Sequence, residues 1–323
     1  MKKNLKSPIA VTLGLSLGLS LLASAPAVLA YDLPPINLGF TSFVDGGPPG
    51  GPGWYFNQFV QFYHATHFKD ANGNDLPLPS PEINATVSLS QIVWLSNIDM
   101  LGGKFGATAV LPAVALETSY GAPGPFPETG KNGLGDFAFG PLIQWGPYMG
   151  PNGPRFVHRL EISGTIPTGE YDAKKTLNPG ANHWTFNPYW SGTIFFTPRW
   201  TASTRIFYLW NGKNTDPNPG WVARGAKNVR PGQAFHFNFA TEYEVLPGKL
   251  RLGVNGYFLK QTTDTQMNGQ DVANTRERAF GIGPGLLWHM TSKDHVFASY
   301  YKESGVRNRT SGDRLSLRYT HAF

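Results

Sequence analysis

Nine charged or titratable side chains fall where the chain alternates polar with apolar residues: Arg159, Glu161, Arg205, His236, Glu242, Glu244, Arg251, Arg314 and Arg318. Spaced in twos, they lie on one face of a strand, and the apolar residues between them on the other. Two chemistries suit such a set. One is a network of ion pairs that fills an interior; the other is a ring of charge that selects what passes.

Other arrangements were weighed against this. The run Asp70 to Asp75, "DANGND", resembles the start of a calcium loop, but the acid that should close it falls on Pro81, so an Asn-Gly turn is the better reading. His64 and His67 are three apart on a strand and face opposite ways, which suits no metal. Lipid-cleaving chemistry on a barrel wall would need a Ser activated by a His on the same face. None of the eight His is followed two residues later by Ser. The sequence therefore predicts no enzyme, no metal and no cofactor.

The elements that must carry these residues are strands. In "RFVHRLEISGTIP" Phe156, His158, Leu160, Ile162 and Ile166 oppose Arg159, Glu161, Ser163 and Thr165. In "AFHFNFATEYEV" Phe235, Phe237, Phe239, Tyr243 and Val245 oppose His236, Asn238, Glu242 and Glu244. In "RLSLRYTHAF" Leu315, Leu317, Tyr319, His321 and Phe323 oppose Arg314, Ser316, Arg318, Thr320 and Ala322. Period two alone leaves open whether the apolar face meets a core or lipid.

The connections decide. About twelve strand-like runs are separated by gaps that alternate long and short: "MLGG", "TPRW", "LPGK" and "TSKD" are tight, and 70–85, 119–132, 171–182, 213–231 and 265–276 are long. An outer-membrane barrel has short turns on the periplasmic rim and long loops outside. The expected fold is all-β, a transmembrane antiparallel barrel of about twelve strands over 54–323. Trp54, Tyr55, Trp145, Trp184, Trp200, Tyr208, Trp210 and Trp288 are read as interfacial girdles. Pro112, Pro141, Pro188 and Pro284 sit inside expected strands, where each removes a ladder donor.

The first thirty residues read as a secretory signal peptide: Lys2, Lys3 and Lys6, then an apolar run from Ile9 to Leu22, then small residues to Ala30. Without those three lysines the 27 basic residues become 24 against 21 acids, a net +3, so the charge implies no nucleic-acid partner. Residues 31–53 are rich in Pro and Gly, yet Ile36, Leu38, Phe40, Phe43 and Val44 call for burial. They predict either a plug in the lumen, held by Phe40 and Phe43, or a periplasmic linker.

Several stretches resemble the phenol meta-pathway degradation family of outer-membrane barrels: Ile36 to Tyr63, Asn132 to Trp145, Ile166 to Trp200 and Phe239 to Asp264. The last strand, with Phe323 and Tyr319 on its apolar row, is similar to a barrel assembly signal. The resemblance implies a channel of the outer membrane that passes small hydrophobic or aromatic compounds. Its partners would be membrane lipids, lipopolysaccharide and the barrel assembly machinery. The rival readings are an outer-membrane lipid-modifying enzyme and a non-conducting structural or adhesive barrel.

Overall fold

The computed structural model describes residues 36–48, 50–119 and 131–323. The expected signal peptide and most of the loop at 119–132 lie outside the described residues. Twelve long strands build one wall: β1 (Gly53–Phe68), β2 (Glu82–Met100), β3 (Gly103–Ser119), β4 (Phe137–Gly150), β5 (Gly153–Glu161) and β6 (Tyr189–Phe195) in the first half. In the second half come β7 (Trp200–Asn211), β8 (Ala234–Leu246), β9 (Leu250–Gln261), β10 (Arg278–His289), β11 (Asp294–Arg307) and β12 (Thr310–Ala322). Each is antiparallel to its neighbours in the chain, and β12 pairs back onto β1, from Tyr55 opposite Ala322 to Phe68 opposite Thr310. The cylinder is closed, which leaves the wall no exposed edge.

The pleat puts the two faces of β12 where a membrane barrel needs them. Leu315, Leu317 and Tyr319 point out and are about two-fifths exposed, whereas Arg314, Ser316 and Thr320 are buried inside. The apolar row meets lipid and the polar row meets the lumen. The same holds on β8 and β9, where Tyr243, Val245, Leu252 and Val254 are outside and His236, Glu242, Arg251 and Asn255 inside.

Loop lengths follow the expected beat. One rim carries tight turns, such as Leu101-Gly102 with both residues at positive φ, and the opposite rim carries the long connections. Those outer loops hold a one-turn helix, α1 (Pro219–Val222), and a small sheet of Val229–Arg230, Gln266–Met267 and Gln270–Asp271. The last connection of the long-loop rim is only a turn at Asn308-Arg309, because β11 runs on through Gly305 and Asn308 takes a positive φ.

The prolines stay in or beside the wall. Pro284 faces Val254 on β9, while its ladder to β11 has no pair between Ile282 and Gly285, as a missing donor requires. Pro188 falls in the gap between the short piece Thr185–Phe186 and β6. Of the expected girdle, Trp54, Trp184, Trp200, Tyr208 and Trp288 face outward, but Tyr55 does not. Its position has lumen parity, it is buried, and its hydroxyl donates to the Gly51 carbonyl.

Candidate functional site in the barrel lumen

Residues 36–48 lie against the inner face of the wall. Ile36 and Leu38 join Leu209, Ala234, Tyr257, Leu259, Tyr301 and Val306 in one apolar cluster, and Phe43 packs against Ala240, Leu287 and Phe297. The lumen is therefore not polar throughout, contrary to the simple alternation. The glycines of the segment permit its close approach. A Cβ on Gly39, at φ +77°, would lie 2.6 Å from the Tyr301 ring, and one on Gly46 would lie 2.4 Å from the Val157 carbonyl oxygen.

Polar contacts fix the path. The Gly39 amide donates to Asn238 Oδ1 (3.2 Å), and Asn238 Nδ2 donates to Asn37 Oδ1 (2.7 Å) and Thr41 Oγ1 (2.8 Å). The Gly46 amide donates to Thr193 Oγ1 (2.8 Å), and its carbonyl accepts from Gln144 Nε2 (2.9 Å). The strongest tie is ionic. Arg205 grips Asp45 through Nε and Nη2, both at 2.7 Å, with the two side chains 10% and 4% exposed.

The residues singled out in the sequence separate into several groupings. Arg314 on β12 is held by Glu303 Oε1 (3.2 Å), the Tyr257 hydroxyl (2.9 Å) and Gln61 Oε1 (2.9 Å), and its guanidinium lies 3.9 Å over the Tyr63 ring. Glu161 accepts from the Tyr189 hydroxyl (2.6 Å), and Arg205 stacks 4.2 Å over that same ring. Arg159 Nε donates to Gln144 Oε1 (2.9 Å). His236 stacks on Phe207 at 4.3 Å. Glu242 accepts from Thr201, and Glu244 lies 3.9 Å from Arg251. Arg318 lies 3.4 Å over the Phe297 ring and 3.8 Å from Asp45. Phe43 is fully covered and Phe40 meets Phe59 edge-on at 6.1 Å. Tyr319 and Phe323 stand outside: the Tyr319 hydroxyl donates to Asp294 (2.6 Å), and the Phe323 amide to the Trp54 carbonyl (3.1 Å).

Asp45, Glu303 and Gln61 were not singled out in the sequence, and Asn238 was placed on the polar row of its strand without a role. Asp45 had a signal, being the one charged residue of 36–53. Glu303 lies on a strand whose alternation is blurred, and nothing local marks Gln61.

Two cavities flank the segment. The outer one, about 160 Å³, lies beneath the long loops and is lined by the apolar Ile36, Phe40, Val114 and Trp221 together with the polar Gln61, His183, Asn214 and Arg314. Burial holds the His183 imidazole below its ordinary value. The inner one, about 630 Å³, opens among the tight turns and takes Thr41, Val44 and Asp45 from the segment's other side.

A closed twelve-stranded antiparallel wall, greasy outside and polar-lined within, defines an outer-membrane β-barrel. The chain belongs to the family described as "Putative MetA-pathway of phenol degradation", which matches residues 65–319. No curated protein matches the sequence. Among solved structures, an outer-membrane channel from Pseudomonas putida F1 is similar with a TM-score of 0.72 at 18% identity, covering 87% of this chain and 100% of that one. The β domain of a Bordetella autotransporter is similar at 0.46 and 12% identity, covering 84% and 100%. The first likeness shows a common fold; the second is too distant to argue from.

Proposed function

We propose that this barrel is an outer-membrane channel for small hydrophobic or aromatic compounds, with residues 36–48 acting as a plug that divides its lumen. The observation that carries the reading is the pair of cavities on opposite sides of that segment, within one closed wall. The outer cavity has the size for one aromatic ring, since ~150 Å³ is enough to admit benzene, and Ile36, Phe40, Val114 and Trp221 offer it an apolar side. The family's link to phenol degradation and the Pseudomonas structure's description as a channel agree with this.

The reading needs no catalytic group, and no observation favours a lipid-modifying enzyme or an adhesive barrel. Residues 1–30 as a cleaved leader belong to the same proposal. So do outer-membrane lipid and lipopolysaccharide as surroundings, and Phe323 and Tyr319 as the signal read by the assembly machinery. Removing residues 31–50 should leave a folded barrel with raised single-channel conductance and weakened preference for aromatic over hydrophilic solutes in liposome uptake. A truncated barrel that conducts and discriminates like the parent would make the segment a linker.

A further inference from the structure

The inner cavity asks for a different solute from the outer one. Lys104, Arg159, Arg205, Arg251 and Arg318 line it, with His289 and His295, and Asp45 is the one carboxylate on its lining among the described residues. Three of the five cations have an acid of their own. Lys104 meets Asp99 at 2.7 Å, Arg251 meets Glu244 at 3.9 Å, and Arg205 occupies both oxygens of Asp45. Glu242 lies nearby but accepts from Thr201. Arg159 bonds the neutral Gln144 and has Glu161 two residues along its own row but outside salt-bridge distance, and Arg318 has a share of a carboxylate that already fills the fork of Arg205.

Unfilled donors point the same way. Arg318 Nε and Arg251 Nη1 are buried without a hydrogen-bond partner among the described residues, on side chains about nine-tenths covered. The wall arranges them in a row. Arg251 on β9 pairs with Leu287 on β10, Leu287 with Phe297 on β11, and Phe297 with Arg318 on β12. Strands stand ~4.8 Å apart, so the two guanidinium-bearing residues sit about 14 Å apart along the wall, with Leu287 and Phe297 as the apolar floor between them. Val93, Leu95 and Phe195 face the same space. Cationic forks at the ends of an apolar floor match a flat ring that carries a carboxylate.

We propose that the inner cavity binds a small aromatic carboxylate, its anionic group on Arg318 and its ring against the apolar wall. This deepens the channel reading, on which it rests for the solute's route, by adding organic anions to the cargo. Arg318 is suited to the role because Phe297 and the Phe43 carbonyl, 3.4 Å from Nη2, hold its guanidinium in place while Nε has no hydrogen-bond partner among the described residues.

The test uses the full-length barrel folded in detergent, with 4-fluorobenzoate and its neutral counterpart 4-fluorobenzamide titrated by fluorine NMR. Fluorobenzoate should bind at least ten times more tightly, and Arg318→Met should abolish that preference. Arg276→Met, which breaks a pair with Asp264 in an outer loop, should leave it intact. If Arg318→Met fails to give a heat-modifiable barrel, Arg251→Met is read in its place, with a loss of several-fold expected. Equal binding of the two probes overturns the proposal, as does a preference that survives both substitutions. Acetate competing as well as benzoate overturns it too. Bilayer conductance of the same preparation separates the two readings. Binding without conductance refutes the channel and keeps the site; conductance without anion preference does the reverse.

Discussion

Asp45→Ala isolates what holds residues 36–48 in the lumen. The substitution strips Arg205 of both its 2.7 Å contacts and leaves a guanidinium that is 10% exposed with no other carboxylate of the described residues within salt-bridge distance. Breaking a buried ion pair from one side costs ~3–5 kcal/mol, because the remaining charge stays desolvated. That energy falls on the docking of the segment rather than on the wall, since the strands keep every ladder bond. At ~1.4 kcal/mol per decade, even the lower figure raises the undocked population about a hundredfold. The chain has no cysteine, so Ser42→Cys, at a position 5% exposed in the docked segment, gives a single reporter thiol. Where docking is fast relative to reaction, maleimide labelling reads that population. The expected result is labelling about two decades faster with Asp45→Ala, and a partial return when Arg205→Met is added, because the stranded charge is then gone. Labelling no faster than in the parent, or a double variant no slower than Asp45→Ala alone, would refute the argument.

Two further outcomes follow. Phe323→Asp places a charge on the lipid-facing row beside Tyr319 and next to the seam bond to Trp54, and should abolish the heat-modifiable barrel in outer-membrane fractions; normal amounts of it would remove the assembly role. Because the buried His183 imidazole favours its neutral form in the packed outer loop, that packing should be intact above pH ~6.5 and weaken as pH falls below it, as the open loop takes up the proton first. Amide exchange around Ala181 to Thr185 should accelerate between pH 7 and 5, and His183→Phe should flatten the change.

The wall was legible because one rule, period two, acts along every strand and the loop lengths add an independent beat. Strand ends were less so. β2 starts at Glu82 rather than after the expected loop 70–85, since its first residues join the ladders to β1 and β3 without an apolar alternation to mark them. The lumen was legible in half. Arg205 and Arg314 could be placed inside from their own strands. Glu303 becomes a partner of Arg314 only through the register of the β11–β12 hairpin, and Asp45 reaches Arg205 from a segment with no strand period to place it. Tyr55 was misplaced for a related reason: beside Trp54 it reads as girdle, and only parity sends it inward.

The seam between β1 and β12 also orders events in time. Asn57 and Thr320 are bonded side chain to side chain across 263 residues of chain, and Gly46 meets Thr193 across 147. Contacts this distant along the chain form late and slowly, because every intervening loop must close first. Residues 36–48 precede the whole wall in synthesis, yet most of the groups that hold them come from its second half. A segment made before any strand is thus among the last to find its place, and until then its apolar side chains must be kept from other partners.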